Sequence, residues 1–438
     1  MYGKKILHIM RFCDIFEREF IMYQDGLSER IWGGLFFVAL FFTSTFISNA
    51  GISISVGLLV AFTIYMHYKN NYGWPLFPKG FLYPYAAFFL LLLLATVPLL
   101  DLPSLHKLWR YFYWSLPLFL FYYVGPVKNF DKIYEKSALF SMLVLSSYTL
   151  YLVTTLPSGA RISGTVSHPN LFAALIESFL PYVICIAIVH IKSKSYNKVT
   201  LWMAVLLSVT GVLSLLFTQS RGGFLGFLSG MFFLVVLKVC VTKKSSVNIS
   251  IKKIFTCILI MTILALGVFS QIDKLSRSYD HERILLWTSS YHMWEDHKLI
   301  GVGLANWKTA YEKEYILPEA KEHDLTMPHN VFMIFLSQTG IIGTLGYFVF
   351  LIGTMIFLIK RIVNGPNNYL YYAMLWAFIT ITVHGFVDSG ITNKFAMKVF
   401  FSYAGVALAM DKLICRAGNN SANRTSNSPC MIKQKVIK

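Results

Sequence analysis

Charge is what this 438-residue chain has least of. Asp, Glu, Lys and Arg make up 14% of it, where a soluble domain carries about 25%. Hydrophobic residues make up 56%, and the mean hydropathy is +0.57. The deficit runs along the whole chain and excludes a water-soluble globular protein. Cysteine is scarce as well. Of the six, Cys185 and Cys257 fall within apolar runs and Cys13, Cys240, Cys415 and Cys430 fall on the basic side of the membrane. No disulfide is expected, and there is no CxxC metal signal. A secretory leader is not evident. The first twenty residues, MYGKKILHIMRFCDIFEREF, have neither a clean apolar core nor a small-residue cleavage site, and read as an amphipathic cytoplasmic helix lying on the membrane. No internal repeat relates the two halves.

What remains is a series of apolar runs near the length needed to cross a bilayer as a helix. They fall at 31–48, 51–68, 81–100, 108–124, 138–156, 171–191, 200–218, 223–241, 252–270, 331–359, 369–387 and 395–413. The expected fold is an all-α polytopic membrane protein of about twelve transmembrane helices. Its expected parts are a cytoplasmic segment 1–30, nine helices over 31–270, one long loop 271–330, three helices over 331–413 and a basic, disordered cytoplasmic tail 414–438. With the N-terminus inside, 26 Lys and Arg face 8 acids on the inner side, and 13 face 13 on the outer side. The whole net charge of +18 therefore lies inside, as the positive-inside rule requires. Membrane lipids explain a pI near 9.5; no nucleic-acid partner is needed.

Polar residues gather in 271–330 and at the helix ends around it. That stretch holds Trp287, Trp294 and Trp307 of the nine tryptophans, and His281, His292, His297, His323 and His329 of the eleven histidines.

Three constellations face the outer side. Thr218-Gln219-Ser220-Arg221-Gly222-Gly223 joins two spans with almost no loop. Ser220 suits a helix N-cap. Glycines at a helix start let an anion approach the backbone, and Arg221 offers a fork for phosphate oxygens. The plainer reading is an arginine snorkelling to the interface beside glycines that pack helices closely. Next, Tyr279-Asp280-His281-Glu282-Arg283 opens a stretch whose spacing puts Arg283, Trp287, Tyr291 and Trp294 near one helical face. This predicts an interfacial helix, with Arg283 either functional or paired to Asp280. Three adjacent polar residues at 280–282 do not define a metal site, and none is expected. Last, Met327-Pro328-His329-Asn330 closes the loop. Asn330 can cap the following helix, holding His329 on a rigid element where an imidazole can take a proton from a hydroxyl, or where it only fills a capping region.

Weaker candidates share that side. Ser167-His168-Pro169-Asn170 opens the sixth span, and His168 and Asn170 can bind sugar or phosphate. Glu177 lies two turns into the same span, as a functional carboxylate or a packing hydrogen bond. His384 and Asp388, one turn apart, can form a carboxylate–imidazole pair or lock their helix to a neighbour. Arg161 adds positive charge nearby.

Taken together, Gln219-Ser220-Arg221-Gly222-Gly223, His281-Glu282-Arg283 before an aromatic helix, Pro328-His329-Asn330 and Ser167-His168-Pro169-Asn170 resemble the O-antigen ligase and polymerase family over roughly 160–400. Each motif is short; their order, and their grouping around one loop, is more specific. The resemblance implies a GT-C type membrane glycosyltransferase in the bacterial inner membrane, with a long periplasmic loop between helices 9 and 10. It implies an undecaprenyl-diphosphate-linked glycan donor and, for a ligase, a lipid A-core acceptor. Arg221 and Arg283 would then hold the donor diphosphate and His329 would act as the base, with no cofactor. A single long loop favours ligase over polymerase by analogy. A polysaccharide or lipid-carrier transporter is the rival from another class, and would be expected to carry repeats or broken helices at mid-membrane.

Overall fold

A computed structural model describes residues 56–61, 63–64, 68, 77–124, 130–192, 197–242, 277–365 and 369–422. The expected spans at 31–48 and 252–270, half of the one at 51–68, the segment 1–30 and most of the tail lie outside the described residues.

Among the described residues there is no strand. The helices are α1 (Lys79–Thr96), α2 (Leu102–Val124), α3 (Phe130–Thr155), α4 (Pro169–Lys192), α5 (Lys198–Phe217), α6 (Arg221–Thr242), α7 (Arg277–Asp296), the short α8 (Trp307–Ala310), α9 (Val331–Asn364), α10 (Tyr369–Gly385) and α11 (Lys394–Ala422). Nine of the twelve expected spans thus have a helix over all or nearly all of their length, several of them longer than hydropathy alone suggested. Six of these helices are long and apolar enough to cross a membrane. The described residues are those of an all-helical, multi-pass membrane protein.

Packing follows a simple plan. α1 lies along α9, α2 along α11, α6 along α10, and α4 against both α5 and α10. α4 is the central helix: 83% of its most apolar stretch is buried in protein, against 28% for α5. A polar side chain on α4 therefore faces protein rather than lipid. Small residues set the closest approach. Gly226 and Gly230 of α6 leave no room for a Cβ against Thr380 and Trp376 of α10, and Trp376 Nε1 donates to the Phe227 carbonyl at 2.8 Å.

The span expected as a continuous helix over 331–359 is broken near its start. Gly340 sits at φ 58°, a conformation cheap only for glycine. The backbone groups freed by the break are taken by the segment after α7. Ile341 and Ile342 N–H donate to the Lys298 and Leu299 carbonyls, while Val302 and Gly303 N–H donate to the Ser337 and Gln338 carbonyls. Gly301 and Gly340 each press against backbone of the other segment, so closely that a Cβ on either would overlap it. The described part of the loop, 277–330, is therefore seated in a transmembrane helix, with buried groups satisfied as a membrane demands. It has its own small core of Leu286, Met293, Trp307 and Tyr311.

Gly340→Ala is expected to lower the unfolding midpoint of the detergent-purified chain and open 298–303 to protease, at a cost of about 2–4 kcal/mol from backbone strain plus overlap. Gly57→Ala, where nothing lies within 4 Å, is the control and should be silent. Equal behaviour of the two variants would contradict the seating of this segment.

Candidate functional site

Four helix ends meet at one end of the bundle: the starts of α4, α6 and α9 and the finish of α10. Each is shaped locally. Asn330 Oδ1 accepts from Phe332 and Met333 N–H and caps α9. Ser220 Oγ accepts from Gly223 N–H at 3.3 Å, so Ser220 is the N-cap expected, with α6 starting at Arg221 rather than Gly222. Gln219 before it takes a left-handed φ of 53°, and its amide donates to the Gly159 carbonyl.

Beneath the start of α6, Glu177 Oε1 and His384 Nδ1 are 2.6 Å apart, with side chains 1% and 4% exposed. Of the two readings of His384, a pair with Asp388 or a lock between neighbouring helices, the hydrogen bond from α10 to α4 is the second. The reason is the helix geometry. α10 ends at Gly385, and a turn carries Asp388 away from His384, while Glu177 projects from the central helix directly opposite. Glu177 Oε2 is buried without a hydrogen-bond partner. A Cβ on Gly223 would come within 3.0 Å of it, and one on Gly222 would overlap Val387 and His384. Both glycines are therefore occupied in admitting α4 and α10 to the start of α6, the plainer of the two readings of that motif.

Asp388 gathers a second set. Its Oδ2 accepts from Asn170 Nδ2 at 2.9 Å, its Oδ1 accepts from Ser389 N–H at 2.6 Å, and His329 Nδ1 stands 3.9 Å from Oδ1. Burial by itself would raise the Asp388 carboxyl, but His329, His384 and the Ser389 N–H together hold it below the usual carboxylate range. It stays ionised. Asn170 is also bridged to Arg161: Nη2 of Arg161 donates to Asn170 Oδ1 at 2.8 Å, and Nε donates to the Thr218 carbonyl at 3.1 Å. Arg161 thereby ties the turn before α6 to the start of α4. His168 Nδ1 accepts from Asn170 N–H at 3.2 Å. Burial and then the Arg161 charge push the His168 imidazole below its ordinary value, with smaller contributions from His329 and Arg283.

His329 itself is held in a left-handed conformation, φ 51°, which is costly for a non-glycine residue. Its side chain is 30% exposed, yet its Nδ1 is buried without a hydrogen-bond partner. Trp287 of α7 fixes the preceding residue by donating from Nε1 to the Pro328 carbonyl at 2.9 Å. α7 thus clamps the start of α9, and Arg283 lies on α7 one turn before Trp287. No described carboxylate pairs with Arg283. Glu282 is spent on backbone: its Oε2 accepts from Lys321 N–H at 3.0 Å and from Glu322 N–H at 3.4 Å.

The fold therefore brings Arg161, His168, Asn170, Glu177, Ser220, Gly222, Gly223, His329, Asn330, His384 and Asp388 into one connected cluster, with the Arg283 charge felt at His168. Its chemistry is an ionised carboxylate beside an imidazole, ringed by arginines and helix N-termini that favour negative charge. Sequence reading passed over Trp287 as more than an anchor; an indole one turn after Arg283 was its only signal.

Removing one partner of a buried hydrogen-bonded pair strands the other at about 3–5 kcal/mol. His384→Ala should show such a loss in unfolding midpoint, and adding Glu177→Leu should recover part of it. Strictly additive losses would argue against direct coupling.

No curated protein matches the chain. Residues 203–348 match the family described as O-antigen ligase, a span that holds Ser220, Arg221, Arg283 and His329. The family so described is one of membrane glycosyltransferase-like enzymes. Across that third of its length, the chain is similar to the O-antigen ligase family.

Proposed function

We propose that this chain is an O-antigen ligase, transferring a glycan from undecaprenyl diphosphate to the lipid A-core on the periplasmic face of the inner membrane, with both termini cytoplasmic. The observation that carries the reading is the His329–Asp388 contact at 3.9 Å, set beside the arginine-bearing start of α6. An acceptor hydroxyl attacks the anomeric carbon from the side opposite the diphosphate. The new C–O bond forms as the bond to phosphate breaks, and the electron pair leaves with undecaprenyl diphosphate, inverting the anomeric centre. His329 takes the hydroxyl proton at Nε2. Asp388 favours the tautomer with the proton on Nδ1 and stabilises the imidazolium that forms.

Charge grows on the departing diphosphate. Arg221 and Arg283 are assigned to meet it, as fixed cations in a partly dry site that do the work a divalent metal does in other glycosyltransferases. Asn170, His168 and Arg161 line the same recess and are assigned to sugar and phosphate contacts. Glu177, His384, Ser220, Gly222, Gly223 and Asn330 are then positioning residues, holding α4, α6, α9 and α10 in register.

The single long loop 271–330 that leads into α9 supports ligase over polymerase, by analogy. Purified chain given both lipids should produce lipid A-core bearing the glycan and free undecaprenyl diphosphate. Product consisting only of lengthened glycan on undecaprenyl diphosphate would make it a polymerase. Arg221→Lys should lose at least tenfold in turnover, because Lys cannot make the bidentate phosphate contact; near-normal transfer counts against the donor role. His329→Ala should lose at least a hundredfold in kcat while still binding the donor. Normal turnover in that variant would remove His329 as the base.

A further inference from the structure

A second group of cations lies on α2 and α11, away from His329. Lys107 and Arg110 are one turn apart on α2, and Lys394 and Lys398 one turn apart at the start of α11. These helices pack along each other. The charges act on one another: Arg110 on Lys107, Lys394 and Lys398, and Lys394 on Lys398. Lys398 is 3% exposed, and its ammonium lies 5.7 Å from the Tyr113 ring centroid. Arg110 stands 5.5 Å over Trp114, and Lys107 Nζ donates to Gln338 Oε1 at 3.2 Å.

Among the described residues no carboxylate is within ion-pair distance of Lys107, Arg110 or Lys398. Residues 31–76 contain no Asp or Glu at all, so the first two expected spans bring no counter-charge. The Nδ2 of Asn393, the residue before Lys394, is also buried with no acceptor, while its Oδ1 accepts from Phe395 N–H.

Like charges gathered around the buried Lys398 ammonium oppose folding, and cation–π contacts return only about 0.5–2 kcal/mol each. An anion with several oxygens reverses the sign. We propose that this cluster is a second anion site, binding a phosphate group of a membrane-anchored glycolipid. The depth fits a lipid-borne phosphate. Arg110 is about 12 Å, and Lys398 about 6 Å, along their helices from the starts, at roughly 1.5 Å per residue, the level of headgroups and interfacial aromatics. Resting on the transferase reading, that glycolipid is the acceptor. The segment joining Asp388 to Lys394 spans at most about 20 Å even fully extended, so a lipid held here by its phosphate can present a sugar hydroxyl to His329.

The test uses the full chain in phosphatidylcholine nanodiscs, following its unfolding midpoint as short-chain phosphatidic acid or, separately, inorganic phosphate is added. Phosphatidic acid should raise the midpoint saturably. The half-effect concentration should climb at least tenfold in Arg110→Gln and in Lys398→Met. Lys107→Met replaces Lys398→Met if that variant does not fold. A response unchanged by these substitutions overturns the site, and an equal response to inorganic phosphate overturns the lipid assignment. In transfer assays the same variants should raise the KM for the acceptor and leave that for the donor alone; a rise in both overturns the acceptor assignment. The midpoint series decides the site even if the chain transfers no glycan.

Discussion

The contact between Glu177 and His384 is the constraint around which one end of this protein is arranged. It joins the central helix α4 to α10 at a point buried in protein, where an unpaired carboxylate or imidazole would be expensive. α6 begins directly over it. Gly222 and Gly223 have no side chains because those positions are filled by His384, Val387, Ala173 and Glu177. The same close approach continues down α6 through Gly226 and Gly230. Arg221 is therefore placed by packing beneath it, and the position of α6 is inherited from the buried pair.

A second constraint reaches the site from the loop. The break in α9 at Gly340 is stabilised only because 298–303 supplies the missing backbone partners. That seating fixes the end of α7, and α7 in turn fixes Pro328 through Trp287. The strained conformation of His329 is thus held from both sides, by the Asn330 cap and by the indole. A broken helix is also a transporter feature, but here the gap is closed by backbone from the chain's own loop and lies near a helix end. It works as a socket, with no ion or substrate path implied.

Much of this could be read in the sequence, for identifiable reasons. Apolar length reveals spans because a bilayer punishes unsatisfied backbone, and nine of the expected spans lie on helices. Ser220 and Asn330 were legible as caps because capping uses a few side chains at fixed offsets. The partner of His384 was not legible. Helical spacing pointed to Asp388, four residues on, whereas Glu177 is 207 positions away in the chain, and only the three-dimensional arrangement of α4 and α10 pairs them. The break at Gly340 was hidden for a similar reason. The run 331–359 carries no charged residue, and the glycines that mark the break, Gly301 and Gly340, belong to segments that meet only after folding. The role of Glu282 as an acceptor for the Lys321 and Glu322 N–H groups was not legible either, since its partners lie about forty residues on.

Charge distribution links these observations to the chemistry proposed. The stretch 271–330 carries ten acids against seven bases, so as a whole it repels a diphosphate. Several of its acids are engaged within the loop: Glu282 on backbone N–H groups, Asp324 and Glu312 on Lys308, and Asp296 on the Tyr315 hydroxyl. Spent in this way, they do not compete for His329, which faces the one carboxylate kept ionised beside it, Asp388. An anionic lipid approaching this end of the bundle is then turned away by the loop and drawn to cations on helices: Arg221 and Arg283 on one side, Lys107, Arg110 and Lys398 on the other. Cations anchored on packed helices lose little freedom when a phosphate arrives, so more of the electrostatic attraction remains to stabilise a developing charge. Arginines on a flexible loop could attract the same lipid but would have to be ordered each time, which is why the physically effective cations belong at the helix ends, and the loop serves to hold those ends in place.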